Sequence, residues 1–277
     1  MIVACLKWVA HPGEPHDERF AGASPADRAA LELALRQADA LGQHVMAVTV
    51  GPPAADRVLR DAFAGGATRL VRVDAPVALP SEAVAISIAE VVRASSATQP
   101  EDDPLWVWCG DYSLDGGSGS VPAFVAAALG ARQALGCISV TPVRHGTLGL
   151  VRRLDGGRRE LLEVEAPAVV SVEGSVATLR RAGLPAVRAA ATATVEVVRS
   201  PDDRGALARA AATVRPYRPR ARVLAVPDGD TSLDRVRALT DAASSAPARG
   251  EVLVASPVEA ANRIVAALEA WDCLDDA

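Results

Sequence analysis

The sequence predicts an α/β fold: a doubly wound, mostly parallel sheet with an added β-hairpin and a C-terminal arm. Three observations predict it. Short, nearly continuous apolar runs alternate with helical patterns as far as residue 130, as expected of strands buried on both faces of a parallel sheet. After residue 135 the alternation stops and strand-like runs follow one another directly. Hydrophobic residues make up 50% of the 277, enough for one large core.

The elements follow in order. IVACLKWV (2–9) is the first strand, and the Pro/Gly loop HPGEPHDERFAGA follows it. SPADRAALELALRQADALG is the first helix. Ser24 caps it, Pro25 suits the first helical position, and Asp27 is placed to return a capping-box bond. Ala30, Leu33, Ala34, Gln37 and Leu41 share one face, and Gly42 fits a left-handed C-terminal cap. HVMAVTV (44–50) is a strand, and PAADRVLRDAFAGG is a helix ending on two glycines. RLVRVDA (69–75) and LWVWC (105–109) are strands, with helices over 81–95 and 119–130. Helical crossovers between parallel strands are nearly always right-handed.

Beyond residue 135, LGCISVTPVRHG, TLGLVRRL, RRELLEVE and AVVSVE read as successive strands. Asp155-Gly156-Gly157 marks a hairpin turn between two of them, and a strand returns at 168–173. Residues 174–194 read as a small, basic loop. The first domain therefore spans 1–194 and an extension spans 195–277. The extension holds the Pro/Arg stretch RPYRPRARV, a helical segment near 232–244, a strand-like GEVLVAS and an amphipathic helix, PVEAANRIVAALEAW. Ala260, Ile264, Ala267 and Leu268 form a stripe on that helix. The extension is expected to be a small second unit or an arm docking on a partner.

Composition narrows the function. The net charge of −5 argues against a nucleic-acid partner, which calls for a basic face. Basic residues are almost all arginine, and Lys7 is the only lysine. No segment reaches the ~18 apolar residues of a membrane span, and the apolar N-terminus is too short for a secretory signal. Cys5, Cys109, Cys137 and Cys273 form no C-x-x-C and read as buried thiols of a cytoplasmic protein. The four histidines show no metal-ligand spacing, and no G-x-S-x-G elbow appears. No catalytic residue and no metal ligand is assigned. Asp27, Asp111, Asp115 and Glu173 fall at element ends, where carboxylates usually serve as caps. The residues favour a binding protein over an enzyme with its own acid–base machinery.

The stretch CGDYSLDGGSGSVPAFVAAALG (109–130) is the candidate site. Ligands of doubly wound sheets bind beyond the carboxyl ends of the strands, where this loop falls. Gly116, Gly117 and Gly119 allow close backbone approach, and the following helix start offers N–H groups to an anion. The loop matches neither the P-loop pattern nor G-x-G-x-x-G. On the residues alone, a plain turn is favoured over a phosphate cradle.

IVACLKWV, SPADRAALELAL, VTVG, CGDYSLDGGSG and VRRLDGGRRELLEVEAPAVVSVE stand in one order and spacing. Together they resemble the beta subunit of electron transfer flavoproteins over roughly residues 1–190. The last segment is the most specific: Asp155-Gly156-Gly157, Glu160 and Ala166-Pro167-Ala168-Val169-Val170 stand close to the family signature. The helix SPVEAANRIVAALEAW resembles the family's C-terminal arm. Within the family the chain resembles the divergent actinobacterial beta subunits associated with mycofactocin redox systems.

The resemblance implies a heterodimer whose alpha subunit holds most of an FAD site, while the beta subunit buries a structural AMP. Electrons would come from a flavin dehydrogenase and leave to a quinone oxidoreductase or another acceptor. Carried over by position, the AMP contacts fall on Ala4, on Ser24, Pro25, Ala26 and Asp27, and on Val50. They continue through Gly110, Asp111, Asp115, Gly116, Gly117, Ser118, Gly119, Ser120 and Val121. The family's partner-recognition loop falls on 172–181, with its anchoring leucine at Val176, expected as an exposed apolar residue. Lys7 stands where the family has a basic residue. The chain departs from the family pattern at Ser24, usually Asn, and at Val121-Pro122-Ala123, usually Thr-Gly-Gln; Pro122 has no N–H to offer a phosphate. Another adenine nucleotide, FAD as in bifurcating relatives, or an empty site are the alternatives these departures leave. A free-standing adenine-nucleotide-binding protein of universal-stress or ATP-pyrophosphatase type is the alternative function.

Overall fold

The computed structural model describes residues 1–10, 18–76, 79–97, 103–144, 146–199, 230–241 and 254–271. They belong to two compact units, Met1–Val214 and Arg215–Ala277.

In the first unit the chain runs through β1 (Ile2–Cys5), α1 (Pro25–Leu41), β2 (Val45–Gly51), α2 (Asp56–Gly65), β3 (Arg69–Asp74), α3 (Ser81–Ser96), β4 (Trp106–Gly110) and α4 (Val121–Leu129). It continues through β5 (Arg132–Arg144), β6 (Thr147–Arg153), β7 (Arg159–Glu165), β8 (Ala168–Val172), α5 (Leu184–Ala191) and β9 (Glu196–Arg199). Among the described residues these strands form one nine-stranded sheet, ordered β7-β6-β5-β8-β4-β1-β2-β3-β9. Every pairing from β5 to β9 along that order is parallel. β6 and β7 add antiparallel at one edge, with Arg153 opposite Arg159 across the Asp155–Gly157 turn. This is the expected doubly wound sheet with its added hairpin.

Strand alternation divides the core between the two faces. Ile2, Ala4, Trp106 and Trp108 pack on the side of α1 and α2, and Val3, Cys5, Val107 and Cys109 on the side of α3 and α4. Trp106 and Trp108 are fully buried. Trp108 Nε1 donates to Gln37 Oε1 at 2.8 Å, which explains a polar residue on the inner face of α1. Cys5, Cys109 and Cys137 are buried free thiols, while Cys273 lies outside the described residues.

α1 starts as the sequence implies: the Ser24 side chain accepts from the Asp27 N–H, Pro25 stands in the first turn, and Gly42 closes the helix at φ 64°. β5 is longer than its apolar pattern suggests because it changes partner along its length. Its first half lies parallel to β8 and its second half antiparallel to β6, with a register shift after Ala134.

Two expectations are corrected in this unit. The sheet does not end at residue 194: β9 lies beside β3, Val71 opposite Glu196 and Asp74 opposite Arg199, and Val198 packs on the core. The unit extends to Val214. Residues 174–194 are not all loop, since α5 occupies Leu184–Ala191 with Pro185 in its first turn.

In the second unit, helices span Ser232–Asp241 and Pro257–Ala270. Ser256 and Glu259 form a full capping box at the start of the latter. Ile264 is 60% exposed there, and no residue of that helix is buried. RPYRPRARV and most of GEVLVAS lie outside the described residues.

Candidate functional site

The strand order reverses at β1. The chain leaves β1 toward β2 and β3 on one side, and β4 lies on its other side. The crevice beyond the ends of β1 and β4 is therefore the topological switch point, the usual ligand position in open α/β sheets. α1 enters this crevice with its first turn. The Asp27 carboxylate accepts from the backbone N–H of Lys7 at 3.0 Å and of Gly110 at 3.2 Å. It also accepts from Ser24, whose side chain in turn accepts from the Asp27 N–H, so the expected capping bond forms and the same carboxylate ties two strand ends together. Gly110 is required by this fit: a Cβ there would stand 2.5 Å from Asp27 Oδ1 and 2.7 Å from the Asp27 nitrogen. Burial pushes the Asp27 carboxyl up to about 6, against the lowering effect of hydrogen bonds from Lys7, Gly110 and Ser24.

Above this floor opens a cleft of about 280 Å³. One wall is apolar, from Leu6, Val50, Leu79, Val84 and Ile88. The other is the β4–α4 loop, with Tyr112, Ser113, Asp115, Gly116, Ser118, Gly119 and Ser120, running into Val121 and Pro122 of α4. The loop doubles back tightly. Gly119 sits at φ 59°, and a Cβ on it would lie 2.5 Å from the Asp111 carbonyl oxygen. Ser120 precedes α4 without capping it, because its Oγ bonds to Ser118 Oγ at 2.9 Å. The first turn of α4 thus reaches the cleft with no side-chain cap on its N–H groups, the arrangement that suits an anion.

Lys7 reaches the loop from the end of β1, its Nζ 2.7 Å from Asp115 Oδ1. Burial raises the Asp115 carboxyl, but hydrogen bonds from Lys7, the Gly116 N–H and Ser113 outweigh it and hold the group at about 2. Asp111, behind the loop, is raised by burial and by the negative charge of Glu173.

The cleft brings together Asp27, Val50, Gly110, Asp115, Gly116, Ser118, Gly119, Ser120 and Val121 of the sequence-derived candidates. The others stand around it. Ala4 is fully buried within β1, Ser24 is the buried cap of α1, and Pro25 and Ala26 press against Gly174. Asp111 supplies the carbonyl beneath Gly119, and Gly117 faces the Tyr112 ring. The wall from α3 and the loop before it carries no polar motif, so its role had no trace in the sequence beyond a helical apolar face.

Val176 is less exposed than the sequence suggests. It is half-buried and packs on the core beside Ala177 and Leu179. The strap that carries it is tied down by Arg180, whose Nε lies 3.0 Å from Glu32 Oε2 and whose Nη1 lies 2.9 Å from Asp39 Oδ2. Glu32 is only 5% exposed at its side chain and also takes the Arg180 backbone N–H. Sequence reading missed this clasp, because its partners are 148 residues apart.

The family model described as the electron transfer flavoprotein domain matches residues 17–203. The chain belongs to the electron transfer flavoprotein domain family. Among relatives of this family, FixA of Rhizobium meliloti is 30% identical over 62% of the chain and 60% of its own length. The electron transfer flavoprotein beta subunit of Methylophilus methylotrophus is 30% identical over 56% of the chain and 57% of its own length. The acryloyl-CoA reductase electron transfer subunit gamma of Anaerotignum propionicum is 29% identical over 53% of the chain and 54% of its own length. The chain thus spans between half and two thirds of these relatives, and the likeness is to the beta-type subunit of electron transfer flavoproteins. Both the hairpin β6–β7 and the crevice loop lie inside the matched region. Among the described residues, no group of three or more His, Cys, Asp or Glu is arranged to hold a metal, and no helix is long and apolar enough to cross a membrane.

Proposed function

We propose that the chain is the beta subunit of a heterodimeric electron transfer flavoprotein and that it holds AMP in the switch-point cleft. One observation carries this reading: in a chain of this family, an apolar slot and a glycine loop with an uncapped helix start meet at the crevice between β1 and β4. The slot of Val50, Leu79, Val84 and Ile88 suits a flat purine, and the loop with the first turn of α4 suits a phosphate. Pro122 removes one donor from that turn, and the N–H groups of Val121 and Ala123 remain. An alpha subunit would carry the FAD, which supplies the one- and two-electron chemistry. This chain's own residues bind, seal the crevice and present a surface to the partner. The proposed electron donor is a flavin dehydrogenase, and the acceptor a quinone oxidoreductase or similar protein.

The test is co-expression of the tagged full chain with an alpha-type subunit from the same source. The reading expects an equimolar complex that retains flavin through gel filtration. A chain that purifies alone and leaves the alpha subunit unbound contradicts it.

A further inference from the structure

Beneath the cleft, β1 and β4 run side by side and parallel, with Ala4 opposite Trp108. Cys5 and Cys109 are the next residues along the two strands, and both pack on the α3 and α4 side of the sheet. Neighbouring strands stand ~4.8 Å apart, inside the ~4.4–6.8 Å between α-carbons that a disulfide spans. Both sulfurs are free thiols, and they interact directly: the Cys109 thiol is pushed well up, first by its hydrogen bond with Cys5 and then by burial. Cys109 also lines the cleft, so the pair is covered yet has a route to small solutes. Cys137, by contrast, is fully buried and does not line it. The proposed function uses none of these sulfurs.

We propose that Cys5 and Cys109 form a redox-sensitive pair, which a peroxide closes to a reversible disulfide across the ends of β1 and β4. The inference does not depend on what the cleft holds. Cys5 Sγ gives up its proton and attacks one peroxide oxygen; the O–O bond breaks, and the departing hydroxide takes up that proton and leaves as water. Cys109 Sγ then attacks the sulfur of the Cys5 sulfenic acid; the S–O bond breaks, and the hydroxyl leaves with the Cys109 proton as a second water. Each sulfur gives up one electron, and the two peroxide oxygens are reduced. Cys109, which holds its proton more firmly than an ordinary thiol, serves as the resolving sulfur. The closed bond shuts a loop of about a hundred residues. It also holds together the two strand ends that Asp27 bridges through the Lys7 and Gly110 N–H groups. The floor of the cleft is thus fixed under oxidant and released on reduction.

The test is hydrogen peroxide treatment of the reduced full chain in a Cys273→Ser background, then alkylation in denaturant and peptide mapping by mass spectrometry. The expected product is a Cys5–Cys109 cross-linked peptide, at least ~10-fold above any cross-link to Cys137, with Cys137 recovered alkylated. Dithiothreitol should return both cysteines to the alkylated pool. Cys5→Ser should abolish the cross-link and leave Cys109 alkylated at the same dose. In the urea-unfolded chain the shorter Cys109–Cys137 loop should dominate instead; the same Cys5–Cys109 product there overturns the role of the fold. Full alkylation of Cys5 and Cys109 in the native chain, after a dose that oxidises the unfolded one, overturns the proposal. So do sulfinic acid at either sulfur without the bond, and native cross-links to Cys137 in equal yield. The deciding product is read with both cysteines in place, so a Cys5→Ser chain that fails to fold does not remove it.

Discussion

The carboxylate of Asp27 joins the backbone N–H groups of Lys7 and Gly110, 3.0 and 3.2 Å away, and so couples the end of β1 to the end of β4 beneath the cleft. Its carboxyl is raised to about 6, mainly by burial, against ~3.9 in an unfolded chain. Between these values the native state holds a proton that the unfolded chain has lost. The stability from this group is therefore fully present below pH ~4 and declines as pH rises through about 6. A shift near two units corresponds to about 3 kcal/mol. Asp27→Asn should flatten this dependence in denaturant melts between pH 4 and 7.5. Near pH 4 it should also lower stability by about 1–2 kcal/mol, since an amide accepts from one N–H and turns its own donor toward the other, and this deficit should vanish or reverse as pH rises toward 7.5. An unaltered pH slope in the variant contradicts the role.

The glycines of the crevice are not equivalent. Gly110→Ala puts a Cβ 2.5 Å from Asp27 Oδ1 and 2.9 Å from the Ala26 carbonyl carbon. Helix and strand must separate, so a loss of about 3 kcal/mol or more is expected, with a lower melting temperature. Gly119→Val meets the Asp111 carbonyl and a positive φ, and should strip bound nucleotide from the complex. Gly116→Ala meets nothing within 4 Å and should leave both readouts within about 0.5 kcal/mol of the parent.

Much of this fold was legible because its rules are local. Alternating apolar runs gave the parallel sheet, Ser24-Pro25 gave the start of α1, and Asp155-Gly156-Gly157 gave the hairpin turn. What stayed hidden depends on distance along the chain. Asp27 reads as a cap of α1, and its further partners, Lys7 and Gly110, are brought to it only by β1 and β4. The apolar wall of Val84 and Ile88 cannot be told from ordinary core in a helix pattern. β9 is four residues long, with charged Glu196 and Arg199 at its ends, and its pairing with β3 leaves no periodic mark. Val176 looked exposed only because the clasp from Arg180 to Glu32 is invisible in one dimension.

That clasp makes its own prediction. Glu32 is pushed up by burial but brought below the usual carboxylate range by bonds from Arg180 and Arg36. Arg180→Ala leaves a nearly buried carboxylate with fewer donors and should destabilise the first unit by about 2 kcal/mol. Proteolysis within 173–183 should accelerate. Val176→Ala should cost about 1 kcal/mol of stability through lost packing. A protease pattern identical to the parent's in Arg180→Ala would show that the strap does not depend on the clasp.

The boundary between the units sets where the chain can be cut. Truncation after Val214 keeps β9 and should leave a cooperatively folding first unit. Truncation after Val195 removes the Arg69–Glu196 ion pair and the Val198 contact, and should lower the melting temperature by several degrees. If the C-terminal helix with Ile264 and Leu268 is a docking arm, the Val214 truncation should also lose capture of the alpha subunit. Full capture by that fragment would assign partner binding to the first unit.

The most direct measurement is chemical. The purified heterodimer is denatured, and the released small molecules are identified and counted by mass spectrometry. The account predicts one AMP per chain of this protein, in addition to the FAD of the alpha subunit, and loss of that AMP alone in Gly119→Val. Recovery of FAD with no second nucleotide from the unsubstituted complex would contradict it and leave the β4–α4 loop a plain turn.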